Sequence, residues 1–471
     1  MAPNREIYLL SPRDLGPETI AVAFAKTSRS PLSFREIAAE LSAETSAEFH
    51  EKWVVGYGHA SVAEHAVLHI AFENVSRLAI ECIESNRLAS YTEKSTRYQM
   101  WEPEDYYLPA ELAQSIHVER YRKTCARLFT AYRSALPPLR ALVEGRFSQR
   151  EDESQARWQG RIRSKYVDVA RYLLPAAALA NVGMTANARA FEHALRKMLS
   201  HPLQEVREIG VEVKAVALRE IPTLVKYAEP VEYMQKTRVA LQALSEVNTP
   251  HRAGDWLEMA DYDVAGEKKF LAACLYAGSG MPFSQALRVA RDLTSAEREQ
   301  AACAALGELG RFDIPLRELE YVGYTFDAVM DQGAYFEVKR HRMMTQTPQR
   351  LTATLGYVVP RMFADAGLLD EYRAAMDMAA DNHTTIAADF PEQAAYLVPN
   401  GFRRSLLMSM NLREAFHFCE LRSAANAHFS VRILAGRMHE MICAVHPLIG
   451  AMMRWEGRED WRNIEREHFL S

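Results

Sequence analysis

The densest chemistry in the chain lies at residues 85–98, which read Ser-Asn-Arg-Leu-Ala-Ser-Tyr-Thr-Glu-Lys-Ser-Thr-Arg-Tyr. Small hydroxyls, a carboxylate and two arginines follow one another here at a density that packing a core does not need. Such a stretch can wrap a nucleotide, with backbone N–H groups and Ser95 on phosphate, Arg97 as a charged fork, and Glu93 on a sugar hydroxyl or base edge. A solvated loop of local Ser and Thr turns is the plain alternative. Upstream, Gly58-His59-Ala60-Ser61-Val62-Ala63-Glu64-His65 offers donors and acceptors suited to sugar hydroxyls and phosphates. A helix start with Ser61 as N-cap and Glu64 as its capping-box partner accounts for those two residues equally well. Far downstream, Lys339-Arg340-His341-Arg342-Met343-Met344-Thr345 sets two arginines around a histidine. That is an anion cradle, in which each charged hydrogen bond is worth about 1.5–3 kcal/mol. On a solvated face the same run is an ordinary basic triplet.

These segments occupy matching places in an internal repeat. Pro31-Leu32-Ser33 is echoed by Pro282-Phe283-Ser284, and Tyr106-Tyr107-Leu108-Pro109 by Tyr357-Val358-Val359-Pro360 at the same offset. At a smaller offset, Tyr172-Leu173-Leu174-Pro175 returns as Tyr396-Leu397-Val398-Pro399, and Asn187-Ala188-Arg189 as Asn411-Leu412-Arg413. Ordered echoes whose offset changes in steps are the mark of duplication plus insertion. The extra residues fall between Tyr121 and Arg171, where RFSQREDESQARWQGRIRSKY is charged and poor in apolar side chains. Asn-Thr-Pro turn chemistry puts the boundary within 230–256, giving copies at 1–235 and 256–471. Apolar spacings of three and four predict helices over 32–42, 111–134, 187–219, 283–306, 366–381 and 411–442. The β-branched and aromatic run Val67–Val75 predicts a strand. The segments before each arginine-rich element fit strand or helix. The class is α+β, repeated twice, each copy a sheet flanked by long helices.

Composition narrows the partners. The formal net charge of -5 argues against a dedicated nucleic-acid binder, so an anionic ligand must be held by local arginines. The six cysteines (Cys82, Cys125, Cys274, Cys303, Cys419 and Cys443) are scattered without a CxxC pair, which fits reduced thiols better than disulfides or zinc. The first residues hold no signal-peptide core, and no apolar run reaches about 18 residues. A cytoplasmic protein with no membrane partner and no bound metal is expected.

The combined motifs resemble the flavin-dependent thymidylate synthases. That family is marked by RHRxxSxNExSxRY behind an HxSxxEH-like segment. The first copy reads HASVAEH and then SNRLASYTEKSTRY, keeping Arg87, Ser90, Glu93, Ser95, Arg97 and Tyr98 while Ser85-Asn86 replaces the leading Arg-His. The second copy keeps Arg340-His341-Arg342 and little else of that motif. Farther on, the first copy keeps Arg171 of an Arg-x-x-x-Pro segment. The second keeps the whole Asn-x-Arg-x-x-x-His-x-x-x-x-Arg helix as Asn411, Arg413, His417 and Arg422. The losses are complementary, as expected of a fused pair that divides the labour of one site.

By that resemblance, flavin adenine dinucleotide is held by His59, Ser61 and Glu64 of one copy and by Arg340, His341, Arg342, Asn411, Arg413 and His417 of the other. A uridylate lies on the flavin, with Arg87, Ser90, Glu93, Lys94, Ser95, Arg97 and Arg171 around its ribose and phosphate. Arg422 is the implied catalytic residue, stabilising charge on the pyrimidine carbonyls. The implied reaction is methylation of C5 of deoxyuridylate, with methylenetetrahydrofolate and NADPH as co-substrates and no protein nucleophile. The implied assembly is a homodimer standing in for the family's tetramer. Cys82 and Ser85 replace a glutamine and an arginine that touch the nucleotide in the family. Flavin-dependent alkylation of another uridylate, or flavin and nucleotide binding without turnover, are therefore the alternatives.

Overall fold

The computed structural model describes residues 6–97, 99–246, 254–310, 312–455 and 459–470. Tyr98 and residues 247–253 of the expected boundary lie outside that set. Seven strands are described: β1 (Val67–Ser76), β2 (Ala89–Glu93), β3 (Leu179–Asn187), β4 (Leu257–Tyr262), β5 (Gly323–Asp331), β6 (Thr345–Pro348) and β7 (Arg403–Asn411). The helices that matter for the site are α1 (Arg77–Ile83), α2 (Val118–Arg146), α3 (Gln155–Ala170) and α4 (Ala188–Leu199). In the second half they are α5 (Gln332–Val338), α6 (Leu369–Ala387), α7 (Leu412–Ser423) and α8 (Phe429–Val445). Among the described residues, no helix is long and apolar enough to cross a membrane.

The chain forms two compact units. Unit 1 comprises Met1–Ser95, Asp105–Val118 and Ala177–His251, and unit 2 comprises Thr96–Glu104, Glu119–Ala176 and Arg252–Ser471. The units thus divide the chain at other places than its linear halves, because residues 96–104 and 119–176 of the first copy fold with the second.

Unit 1 holds an antiparallel sheet in the order β1-β3-β2, with Val67 opposite Asn187 and Ser90 opposite Thr185. Leu68, Ile70 and Phe72 are buried and alternate with exposed Val67, His69 and Ala71, the period-two pattern of a half-covered strand. Helices α1 and α4 pack on β1 and β3.

Unit 2 repeats this order with one strand added at the edge, β4-β5-β7-β6. Gly323 stands opposite Asn411 and Thr345 opposite Ser409, the same registers as in unit 1. The core packs Phe326, Met408, Phe416, Val431 and Leu434 between this sheet and helices α7 and α8. One buried contact shows the duplication atom by atom. Ser76 caps α1 and donates to Glu205 at 2.6 Å, whereas Asp331 caps α5 and is hydrogen-bonded by Ser430. The two copies have exchanged carboxylate and hydroxyl across the same contact.

The sequence reading and the structure differ in several places: the helix expected over 283–306 is two, Phe283–Asp292 and Ser295–Leu306, and that over 32–42 is only Phe34–Ala39. The region expected as a helix over 111–134 is a short turn at Ala110–Ala113 followed by α2, which runs through Pro137 and Pro138 to Arg146. The helices expected over 187–219 and 411–442 each begin as the last residue of a strand and break once, the second at Ala424–His428. The stretch 85–98, read as a loop, contains β2, because alternating Ser90, Tyr91 and Thr92 pair with β3. The segments left open between strand and helix contain both, since β1 runs into α1 and β5 into α5.

Candidate active site

Unit 2 gathers residues from both copies around two linked charge clusters. The first begins where α3 ends. Asp168 sits in the last turn of α3 and Arg171 directly follows it. The Arg97 guanidinium grips Asp168 with two prongs, Nε to Oδ1 at 2.8 Å and Nη2 to Oδ2 at 2.7 Å, and its Nη1 donates to the Asn426 carbonyl at 2.9 Å. Arg171 is buried; its Nη1 donates to Thr96 Oγ1 at 3.0 Å and its Nε lies 3.6 Å from Asp168. Its Nη2 is buried without a hydrogen-bond partner. Burial pushes the Asp168 carboxyl up while Arg171 and Arg97 pull it down. With both oxygens accepting from a guanidinium it is a carboxylate. His428 closes the cluster, with Nε2 donating to the Asp168 carbonyl at 3.3 Å and Nδ1 accepting from the Ser430 N–H. Burial holds this ring neutral, well below the usual histidine range.

The second cluster is a line of four side chains on α5, the turn after it, and α7. Arg422 donates from Nη1 to Glu337 Oε2 at 2.8 Å, from Nη2 to the Glu337 carbonyl at 3.0 Å, and from Nε to His341 Nε2 at 2.9 Å. An arginine Nε can only donate, so His341 Nε2 accepts and its proton sits on Nδ1, 2.8 Å from Glu414. Burial lowers the His341 pKa, in keeping with a neutral ring. Burial also lowers that of Arg422, and Arg340 and Arg97 push the same way by their charge. Asp168 likewise feels Glu337, so the two clusters share one electrostatic neighbourhood. Glu337 Oε1 is buried and lacks a hydrogen-bond partner.

Beside this line opens a cavity of about 620 Å³, bordered by Asn411, Arg413, His417, Asn426, Met343 and Arg454 among others. Asn411 caps α7 by accepting from the Glu414 N–H at 2.9 Å. Arg413 is braced by Glu320 at 2.7 Å and by the Pro315 carbonyl. His417 is exposed into the cavity, and its ring lies 5.4 Å from that of His341. Glu414 touches both features, since it lines the cavity and holds His341.

The arginine-histidine-arginine segment therefore splits. Arg340 and Arg342 are exposed, while His341 points inward to position Arg422. An orphaned buried guanidinium N–H on Arg171 and an adjoining cavity suit an anionic ligand.

In unit 1 the remaining expected residues take other surroundings. Glu93 is buried in an ion pair with Arg77 at 3.0 Å, both side chains about 3% exposed. Ser90 and Arg87 are exposed, and the Lys94 backbone N–H bonds the Asn181 carbonyl. Ser61 makes no capping bond, and Glu64 instead meets Arg189 at 2.5 Å, so the capping-box alternative is not formed. Arg413 and Glu320 repeat that last pair in unit 2. His59 and Ser61 line a cavity of unit 1. Ser85, in the place of Arg340, receives a hydrogen bond from Lys197 at 2.7 Å. Burial pushes the Cys82 thiol up to about 11 and raises those of Cys125 and Cys419, which makes them poor nucleophiles.

Sequence reasoning did not single out Asp168, Glu337, Glu414, Asn426 or His428. Two of them carried a signal, because Asp168 and Glu337 each stand three residues before a recognised arginine, one helical turn away.

A family model described as thymidylate synthase complementing protein matches residues 10–223 and 285–448. A UPF0159 protein of Chlamydia muridarum is 31% identical over 435 residues, spanning 88% of this chain and 82% of its own. A flavin-dependent thymidylate synthase of Clostridium tetani is 28% identical over 220 residues, 45% of this chain and 83% of its own. Among solved structures, flavin-dependent thymidylate synthase ThyX of Helicobacter pylori, complexed with FAD and dUMP, is similar with a TM-score of 0.31. It is 17% identical, and the match covers 42% of this chain and 98% of that one.

Proposed function

This chain belongs to the thymidylate synthase complementing protein family, and on that premise we propose that it is a flavin-dependent enzyme that methylates C5 of deoxyuridylate. The observation that carries the reading is the meeting of Arg97 and Arg171 of the first copy with the His341–Arg422 line of the second inside unit 2. Arg171, with a buried N–H left over, and Arg97 take the nucleotide phosphate. Arg422, held by Glu337 and His341, lies against the pyrimidine and stabilises charge growing on its carbonyl oxygens. Asn411, Arg413 and His417 line the cavity that suits flavin adenine dinucleotide, with exposed Arg340 and Arg342 beside it. His341 acts through Arg422 as a positioning residue. His59, Ser61 and Glu64, and the nucleotide contacts of Arg87, Ser90, Glu93, Lys94 and Ser95, keep their roles on the resemblance alone.

When bound, the reduced flavin supplies hydride, methylenetetrahydrofolate the carbon and NADPH the electrons that restore the flavin. The side chains supply orientation and fixed charge, and no protein nucleophile is used. A second reading, ligand binding without turnover, is favoured by one observation: three of the five Arg422 N–H groups are already committed within the protein. The substitutions Cys82 and Ser85 in turn favour alkylation of a different uridylate.

The test is complementation of a thymidine auxotroph together with the visible absorption of the purified protein. Growth and a flavin band support the proposal. A flavin band without growth selects binding without turnover or another uridylate, and a colourless protein that neither binds added flavin nor complements overturns it. Arg97→Ala and Arg342→Ala are each expected to abolish growth.

A further inference from the structure

The line Glu337–Arg422–His341 ends in Glu414, a residue with no role assigned so far. Glu414 stands in the first turn of α7, where a helix end favours a negative charge. It is buried, as are Glu337 and His341. Its Oε1 accepts from His341 Nδ1 at 2.8 Å, while the opposite ring nitrogen accepts from Arg422 Nε at 2.9 Å. A neutral imidazole carries one proton, so the partner on one nitrogen decides what the other can do. With the proton on Nε2 instead, donor would face donor, and Arg422 would lose one of the three hydrogen bonds that hold it.

The duplication shows that the fold does not need this line. Counted from the matching caps, Ser76 with Asp331 and Asn187 with Asn411, the places of Glu337, His341, Glu414 and Arg422 are taken in the first copy by Cys82, Asn86, Ala190 and Met198. All four differ, and the replacements include neither an acid nor a base. Unit 1 nevertheless keeps the order β1-β3-β2 that matches β5-β7-β6, with Val67 opposite Asn187 where Gly323 stands opposite Asn411. Asn86 turns to the Ile83 carbonyl at 3.0 Å, and Met198 is fully buried. The joint folds without the line, and its four members were kept in one copy and lost in the other as a set.

We propose that Glu414 is a positioning residue: by holding the His341 proton on Nδ1 it leaves Nε2 to accept from Arg422, and so fixes the guanidinium that faces the pyrimidine. Its effect on turnover rests on the role proposed for Arg422; its effect on the ring does not.

The experiment observes ring and reaction separately in the full-length protein. Two-bond proton–nitrogen NMR spectra with isotopically labelled histidine, the His341 signals assigned from His341→Asn, are expected to show the proton on Nδ1. Glu414→Ala is expected to move it to Nε2 or to mix the two forms. In the same variant kcat for deoxyuridylate methylation is expected to fall about 10- to 100-fold, the usual cost of losing a group that orients a histidine, while KM and flavin content hold. Because Glu414 acts through His341, adding Glu414→Ala to His341→Asn is expected to cost no further rate. That double variant carries the pair found at the same places in unit 1, so it decides the matter if Glu414→Ala alone does not fold. A proton on Nε2 in the unaltered protein, a tautomer indifferent to Glu414→Ala, flavin loss at unchanged kcat, or rate losses that add in the double variant each overturn the proposal. If the unaltered protein does not turn over deoxyuridylate, the function proposed for Arg422 fails instead, and the NMR spectra alone decide on Glu414.

Discussion

Glu337 and His341 decide what Arg422 can do. The Arg422 and Glu337 side chains are only about a tenth exposed, so their pairing is a buried one. Removing one partner of a buried pair strands the other charge and typically costs about 3–5 kcal/mol. Glu337→Ala is therefore expected to lower the urea midpoint by an amount near the bottom of that range, while Glu337→Gln, which keeps a carbonyl acceptor, loses less. Equal loss in the two variants would show that the carboxylate charge is not what holds Arg422. His341 adds a pH dependence whose sign is fixed. Burial lowers its folded pKa below the usual 6.5, so the stability it contributes is complete above that value. It drains away as pH falls towards the folded value, because the unfolded chain takes up protons first. His428 acts in the same direction, and His201 and His468, both lowered to about 4 by burial, add their own shares. Each of the last two costs about 2 kcal/mol by about pH 5. Urea midpoints measured at descending pH are expected to fall below pH 6.5, and less steeply in His468→Gln.

At the scale of elements, the strand-to-helix step occurs twice with the same residue at the joint. Asn187 ends β3 and caps α4 by accepting from the Ala190 N–H, as Asn411 ends β7 and caps α7. Replacing an asparagine cap by alanine costs about 1 kcal/mol. Asn187→Ala and Asn411→Ala are expected to destabilise alike in thermal melts, while only Asn411→Ala, at the cavity, weakens flavin retention. Equal retention would leave Asn411 a cap and nothing more. The same joint shows how much the sequence revealed. The echo of Asn-x-Arg was visible because the repeat returns it at a fixed offset, and β1 was visible in its β-branched and aromatic content. The ends of the elements were not, since β3 and β7 run straight into helices without a glycine or proline to mark the change. Helix α2 runs on through Pro137 and Pro138 to Arg146, beyond the expected end at 134, because tertiary packing carries it past the prolines. Beyond the three-residue spacing of Asp168 and Glu337 to the next arginine, the pairing itself stayed hidden, and Glu337 meets Arg422 and not Arg340. Asp168, Glu337 and Glu414 are ordinary acidic residues in helices, and only folding decides which acid a given arginine meets.

For the molecule as a whole, the decisive fact is that unit 2 is built from both copies. Helix α2 runs antiparallel to α6: Thr124 accepts from Asn382, Arg120 also bonds Asn382, and Arg127 and Arg146 meet Glu371 and Asp365. Its inner face carries Tyr121, Cys125, Leu128, Phe129, Tyr132 and Leu139, all fully buried. Six such side chains at about 1.5–3 kcal/mol each are comparable with the whole net stability of an ordinary domain, about 5–15 kcal/mol, so unit 2 depends on them. Cutting at the linear boundary removes that surface, together with Arg97, Asp168 and Arg171. A fragment of residues 256–471 is accordingly expected to lack a cooperative melt and to bind a hydrophobic dye, even though it retains β4–β7 and helices α5–α8. Adding the fragment 1–235 during expression is expected to restore both the melting transition and flavin binding. A fragment 256–471 that melts cooperatively alone would mean that the first-copy helices are an ornament on a complete domain. In that case the two copies could have been parted without loss, and the complementary decay of their motifs would need another cause.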